Sequence, residues 1–135
     1  MSYAHTITVA LPYEEAIART KQELANQGFG VLTEIDIRAT FTTKLGAESA
    51  DAVGDYLILG ACNPPLAEQA LAADPDMGLL LPCNVVIRRS QSADTTTVQA
   101  INPQTMVQLS DVAAVQSVAD QADERLRAAL AAIEG

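Results

Sequence analysis

Two Cys-Asn dipeptides, Cys62-Asn63 and Cys83-Asn84, contain both cysteines of this 135-residue chain. Paired thiols bind metals or cycle with an oxidant, whereas asparagine amides line polar pockets or cap neighbouring main chain. Two thiols alone make an incomplete zinc site, because zinc usually takes four N, S or O ligands and no CxxC spacing is present. The single histidine, His5, is the candidate third metal ligand. The dipeptides therefore indicate either a thiol site or two similarly built strand ends with buried cysteines.

Alternation and helical periodicity predict the elements that position these residues. Apolar alternation or short apolar runs predict five strands, at residues 5–11, 29–37, 55–62, 78–89 and 95–101. Spacings of three and four predict helices over residues 13–27, 66–73 and 111–133, the last capped by Ser110 or Asp111. Residues 38–54 are predicted to be irregular. The order predicts an α+β fold, a five-stranded antiparallel sheet with helices on one face.

Length and charge limit the classes of function. A chain of 135 residues is expected to form one domain, residues 1–135, with a true core. The net charge of −9 argues against binding to nucleic acid or to anionic membranes, which require clustered Lys and Arg. No run of about 18 apolar residues is present, and the first residues lack the pattern of a signal peptide. We therefore expect a soluble cytoplasmic protein with reduced thiols.

Three segments resemble the signature blocks of a bacterial and archaeal family, domain of unknown function 302. They are GFGVLTEIDI, YLILGACNPPLAEQAL and GLLLPCNVVIRR, in that order along nearly the whole chain. The resemblance implies a fold similar to that of the TATA-box-binding protein, and it implies homodimers. It implies no activity, and a fold shared with a DNA-binding protein does not transfer that function.

A sheet order of 1-5-4-3-2 would bring both Cys-Asn pairs to one end of two adjacent strands. His5 would lie at the same end but about 10 Å from the fourth strand, two strand spacings away. Glu34 and Asp36 would fall at the opposite end, near Lys44, as solvated or capping carboxylates. If strand register placed Cys62 and Cys83 on opposite faces, the two thiols could not cooperate.

Two functions remain open from the sequence. The favoured one is a non-enzymatic, homodimeric module that binds a small molecule or a protein, with Cys62, Asn63, Cys83 and Asn84 as its ligand-binding residues. The alternative is a redox or metal-binding thiol protein that uses Cys62 and Cys83. Capping is the favoured role of Asn63, while the role of Asn84 is open. His5 is more typical of a partly exposed strand end than of a metal ligand.

Overall fold

The structure is a computed structural model that describes residues 2–135. Within this part of the chain the strands are β1 Ala4–Val9, β2 Gly30–Asp36, β3 Asp55–Cys62, β4 Cys83–Arg89 and β5 Thr96–Ile101. The α-helices are α1 Tyr13–Asn26, α2 Ile37–Leu45, α3 Ala47–Val53, α4 Pro64–Ala73, α5 Gln104–Val107 and α6 Val115–Glu134, and one 3-10 helix spans Pro75–Leu80. None of the described helices has the length and apolar character that a membrane span requires.

The strands form one antiparallel sheet in the order β1-β5-β4-β3-β2. This is the α+β architecture and the strand order that the sequence predicted. β4 and β5 pair as a hairpin. β1 also pairs with β5, although most of the chain lies between these two strands. A bulge between Val31 and Thr33 interrupts β2, the edge strand. The sheet therefore places the end of β3 beside the start of β4.

The core lies between the sheet and the helices α1 and α6. Leu59, Ile87 and Val98 point from the central strands into this layer and are fully buried. Leu24 of α1 and Leu126 of α6 meet them from the helix side. Burial of such side chains contributes roughly 1.5–3 kcal/mol each. We call this side of the sheet the helix face.

The outer face is the side of the sheet turned away from α1 and α6. Register aligns Ile35, Ile58, Val86 and Gln99 in one row across four strands. Three of these four side chains are apolar, and Ile35 is 47% exposed. β3 is thus apolar on both faces, as its sequence predicted.

The segment 38–54 is not irregular, contrary to the prediction. It contains most of α2 and all of α3, which end at Gly46 and Gly54. Arg38 bonds both Asp51 and Asp55, which ties the helix pair to the start of β3. α2 buries none of its residues, so no apolar stripe marked the helix in the sequence.

Two further boundaries were wrong. Residues 78–82 are not part of the fourth strand, because the 3-10 helix continues to Leu80 and β4 begins only at Cys83. The last helix begins at Val115, so neither Ser110 nor Asp111 caps it. Ser110 instead donates a hydrogen bond to Asp74, 2.7 Å away, and thereby ties the loop before α6 to the end of α4. Residues 78–82 and 111–114 contain enough apolar side chains to continue the patterns of β4 and α6, respectively.

Candidate functional site

Cys62 and Cys83 lie on neighbouring strands at one end of the sheet. The Cα partner of Cys83 is Ala61, so Cys62 is one residue removed from the direct pair. Strand alternation therefore directs Cys83 to the helix face and Cys62 to the outer face. Cys62 is, however, the last residue of β3, where the chain turns into α4. Both cysteines consequently border the same cavity.

This cavity has a volume of about 60 Å³ and lies between the end of the sheet, α4 and α6. Its walls are almost entirely apolar. Small side chains leave the space: Ala67 and Ala70 of α4 face Ala119 and Ala122 of α6. Alanines at these positions bring the helices close without filling the layer between them. The cavity is large enough for a short apolar chain and much smaller than the roughly 300–1,000 Å³ of a drug-sized ligand site.

Asn63 caps α4 and also lines the cavity. Its Oδ1 accepts a hydrogen bond from the Leu66 N–H at 3.3 Å, and its Nδ2 donates a long one to the Gln27 carbonyl at 3.5 Å. The side chain is 5% exposed. The capping that the sequence favoured is present, because an Asn before Pro64 offers its oxygen to the first free amides of the helix.

Asn84 does not join the cavity. It follows Cys83 directly, so alternation turns its side chain to the outer face. There it borders a shallow groove with Tyr3, Tyr56 and Gln99. Of the four residues predicted to bind a ligand, Cys62, Asn63 and Cys83 border the cavity, and Asn84 does not.

His5 is held away from the cysteines by α6. Its Nε2 lies 2.6 Å from Oδ1 of Asp123, and both side chains are mostly buried. The structure therefore does not assemble Cys62, Cys83 and His5 as a metal site. Among residues 2–135, no group of three or more His, Cys, Asp or Glu is arranged to hold a metal ion.

Burial, with a smaller contribution from the neighbouring charge of Cys62, raises the pKa of the Cys83 thiol to about 11. The thiolate, not the thiol, is the nucleophile and the metal ligand. Cys83 is therefore overwhelmingly protonated at neutral pH. The cavity favours the contact of an apolar ligand with this sulfur over attack by it.

Glu34 and Asp36 have structural partners, though not the predicted Lys44. Glu34 forms an ion pair with Lys21 of α1 at 2.7 Å. Asp36 caps α2 by accepting a hydrogen bond from the Ala39 N–H at 2.9 Å. Glu34 thus stabilises the contact between β2 and α1, and Asp36 caps α2.

The sequence analysis did not identify Arg125 of α6. A Cβ added to Gly28 would lie 3.6 Å from Nη1 of Arg125 and 3.1 Å from Nδ2 of Asn63. The guanidinium and the amide therefore flank one point, left open by a glycine with φ of +83°. Phe29, the next residue, lines the cavity. The only signal in the sequence is the Gly28-Phe29-Gly30 stretch, in which two glycines flank the phenylalanine.

Comparison with known proteins adds a family and a fold. The family model described as "Domain of unknown function DUF302" matches residues 5–133. The crystal structure of an uncharacterized conserved DUF302 protein from Bacillus stearothermophilus is 28% identical to this chain. It superimposes with a TM-score of 0.84 over 98% of each chain. No curated protein matches.

Proposed function

The chain belongs to the DUF302 family, whose description assigns no activity, and we propose that it is a single-domain, homodimeric module that binds a small apolar molecule in the cavity. The carrying observation is a space of about 60 Å³ with almost wholly apolar walls inside an otherwise packed core. Apolar cavities of sufficient size stay dry and accept apolar ligands, because water finds no hydrogen-bond partners there.

The groups around the cavity favour binding over catalysis. Cys83 is held protonated by burial, and the Oδ1 of Asn63 is engaged by the α4 cap. His5, the candidate base for a Cys–His pair, is paired with Asp123. A nucleophile is activated by an adjacent base, a lowered pKa or a bound metal, whereas the pKa of Cys83 is raised. The cysteines then serve as polarisable walls of the ligand site.

Cavity filling tests the proposal. Ala67→Leu extends a side chain from α4 into the cavity, whereas Ala72→Leu places the same group on the exposed side of α4. Titration with 1-butanol, whose three-carbon tail suits a cavity of about 60 Å³, followed by backbone amide NMR, should give saturable shifts at Ala119 and Ala122 in the wild type and in Ala72→Leu. Ala67→Leu should abolish them. Saturable binding that survives in Ala67→Leu, or none in the wild type, refutes the proposal.

The outer face supports the dimer. Its apolar row of Ile35, Ile58 and Val86 has no covering helix from α1 or α6, and exposed apolar patches of more than a few hundred Å² commonly mark interfaces. Ile35→Glu should convert the dimer to a monomer in sedimentation velocity, because it places a charge on that row. Gln69→Glu, an exposed change on α4, should leave it dimeric. A wild-type monomer at micromolar concentration contradicts the proposal.

A thiol site in the cytoplasm is the second candidate, with zinc as its metal. The observation that favours it is that Cys62 and Cys83 border one cavity. Thiol titration with and without denaturant, followed by metal analysis of the purified protein, separates the candidates. Stoichiometric metal or fast-reacting thiols support the thiol site, and two slow thiols without metal reject it.

A further inference from the structure

We propose that Arg125 and Asn63 bind the carboxylate of a short-chain monocarboxylic acid whose hydrocarbon tail fills the cavity. The inference rests on the proposed ligand-binding function and specifies the chemical class of the ligand. It assigns the head group to the two nitrogens that flank Gly28. It assigns the tail to the apolar space between α4 and α6.

Arg125 differs from the other arginines of the chain. It is half-buried, yet it has no hydrogen bond or ion pair with any of residues 2–135. Each of the other arginines has an acceptor: Arg19 bonds the Ala132 carbonyl, Arg38 bonds Asp51 and Asp55, Arg88 bonds Gln99, Arg89 bonds Leu11 and Thr96, and Arg127 pairs with Asp123. A partly desolvated guanidinium without an acceptor is unfavourable. An anionic ligand supplies that acceptor.

Asn63 contributes a second donor at the same place. Its Oδ1 is fixed by the Leu66 N–H, so Nδ2 must face Gln27 and Gly28. One N–H of Nδ2 makes the long bond to Gln27, and the other has no acceptor among the described residues. Asn63 is only 5% exposed, so this donor is shielded from water. A carboxylate oxygen beside Gly28 would satisfy it.

Gly28 keeps the position of the head group open. Any side chain here would begin 3.1 Å from Nδ2 of Asn63, in the space where the carboxylate oxygens must sit. The positive φ of 83° also favours glycine at this turn. Asn63 and the adjacent Phe29 both line the cavity, so the head-group position adjoins the apolar space.

The donor set fits a carboxylate better than a phosphate. A guanidinium binds a carboxylate through two parallel N–H bonds, which a single arginine provides in full. Phosphate sites usually combine several backbone amides with basic side chains. Here the first helical residues of α4 are Pro64 and Pro65, which have no N–H to offer. The chain's net charge of −9 likewise disfavours a multiply charged anion.

Paired titrations with butyrate and 1-butanol test the assignment, because the two probes share a tail and differ in the head group. Butyrate should bind the wild type roughly 10-fold or more tightly than 1-butanol, as hydrogen bonds to charged groups imply. Arg125→Gln should weaken butyrate about 10-fold and leave 1-butanol unchanged. Arg127→Gln changes an exposed arginine on a different side of α6 and should alter neither. The Arg125 Nε–Hε resonance should shift with butyrate only.

The outcomes separate the two proposals. If 1-butanol binds in the cavity but butyrate binds no more tightly, this inference is overturned and the proposed function stands. Equal losses of both probes in Arg125→Gln also overturn it, since they indicate a packing role for Arg125. If neither probe binds saturably, the proposed function fails and the inference fails with it. Inorganic phosphate that competes with butyrate at equal concentration overturns the assignment of a carboxylate head group.

Discussion

Alkylation of Cys83 is a direct test of how the cavity controls its thiols. The variant Cys62→Ser leaves Cys83 as the sole thiol. In the wild type, burial and a smaller contribution from Cys62 raise the pKa of Cys83 from 9.0 to about 11, and the variant keeps the larger, burial contribution. The residue is 7% exposed. At pH 8 a thiol with the ordinary value is ~10% thiolate and one with the raised value ~0.1%, so alkylation should slow about 100-fold before any shielding is counted.

Iodoacetamide kinetics measure this difference. The folded variant should react at least about 100-fold more slowly than the same variant in guanidinium chloride, and its rate should rise tenfold per pH unit until about pH 11. Cys83→Ser, which retains only Cys62, is the matched control. A folded rate that levels off near pH 9, or that approaches the denatured rate, would refute the argument that burial keeps Cys83 protonated.

The same pKa has a consequence for stability. The folded state holds the Cys83 proton more tightly than the unfolded state, so this contribution is complete below pH 9 and is lost as the pH rises through 11. A change from 9.0 to about 11 corresponds to about 3 kcal/mol. The free energy of unfolding, measured with urea, should therefore fall more over this pH range for the wild type than for Cys83→Ser. Equal pH dependence of the two proteins would contradict the linkage.

Three further predictions concern backbone and cap positions, each measured by urea unfolding. Gly54→Ala should destabilise the protein by roughly 1–3 kcal/mol, because its φ is +75° and the new Cβ would lie 2.8 Å from the Arg89 carbonyl oxygen. Gly46→Ala, whose Cβ meets open space, should destabilise it less. An equal loss in both variants would reject the steric part of the argument. Asn63→Ala should cost about 1 kcal/mol through loss of the α4 cap, whereas Asn63→Asp should retain it; a loss in both variants would assign the cost to the cavity. Gly60→Ala should cost roughly 1–3 kcal/mol because its Cβ would contact Thr33, and Thr33→Ala should restore part of that loss, so purely additive effects would disprove the contact.

The sequence determined the elements whose periodicity is local and strong. β3 begins and ends at the predicted residues, and α1 differs from the predicted helix only at its last residue. α1 shows the period of 3.6 that burial of one face imposes, whereas β3 is a continuous apolar run between Gly54 and Asn63. The strand order was supposed from the fold that the family resemblance implies, because most of the connections contain helices and do not fix it. α2 escaped prediction because it buries nothing and so has no stripe to detect.

The cavity and its head-group position depended on tertiary structure. The sequence placed Cys62, Asn63 and Cys83 at one end of the sheet, but only the register and the turn into α4 decided that all three border one cavity. His5 was drawn to Asp123, a partner that no local pattern indicates. Arg125 meets Gly28 only because α6 packs beside the turn after α1. Local periodicity encodes which side of an element is buried, whereas the contacts across elements are fixed only when the faces pack together.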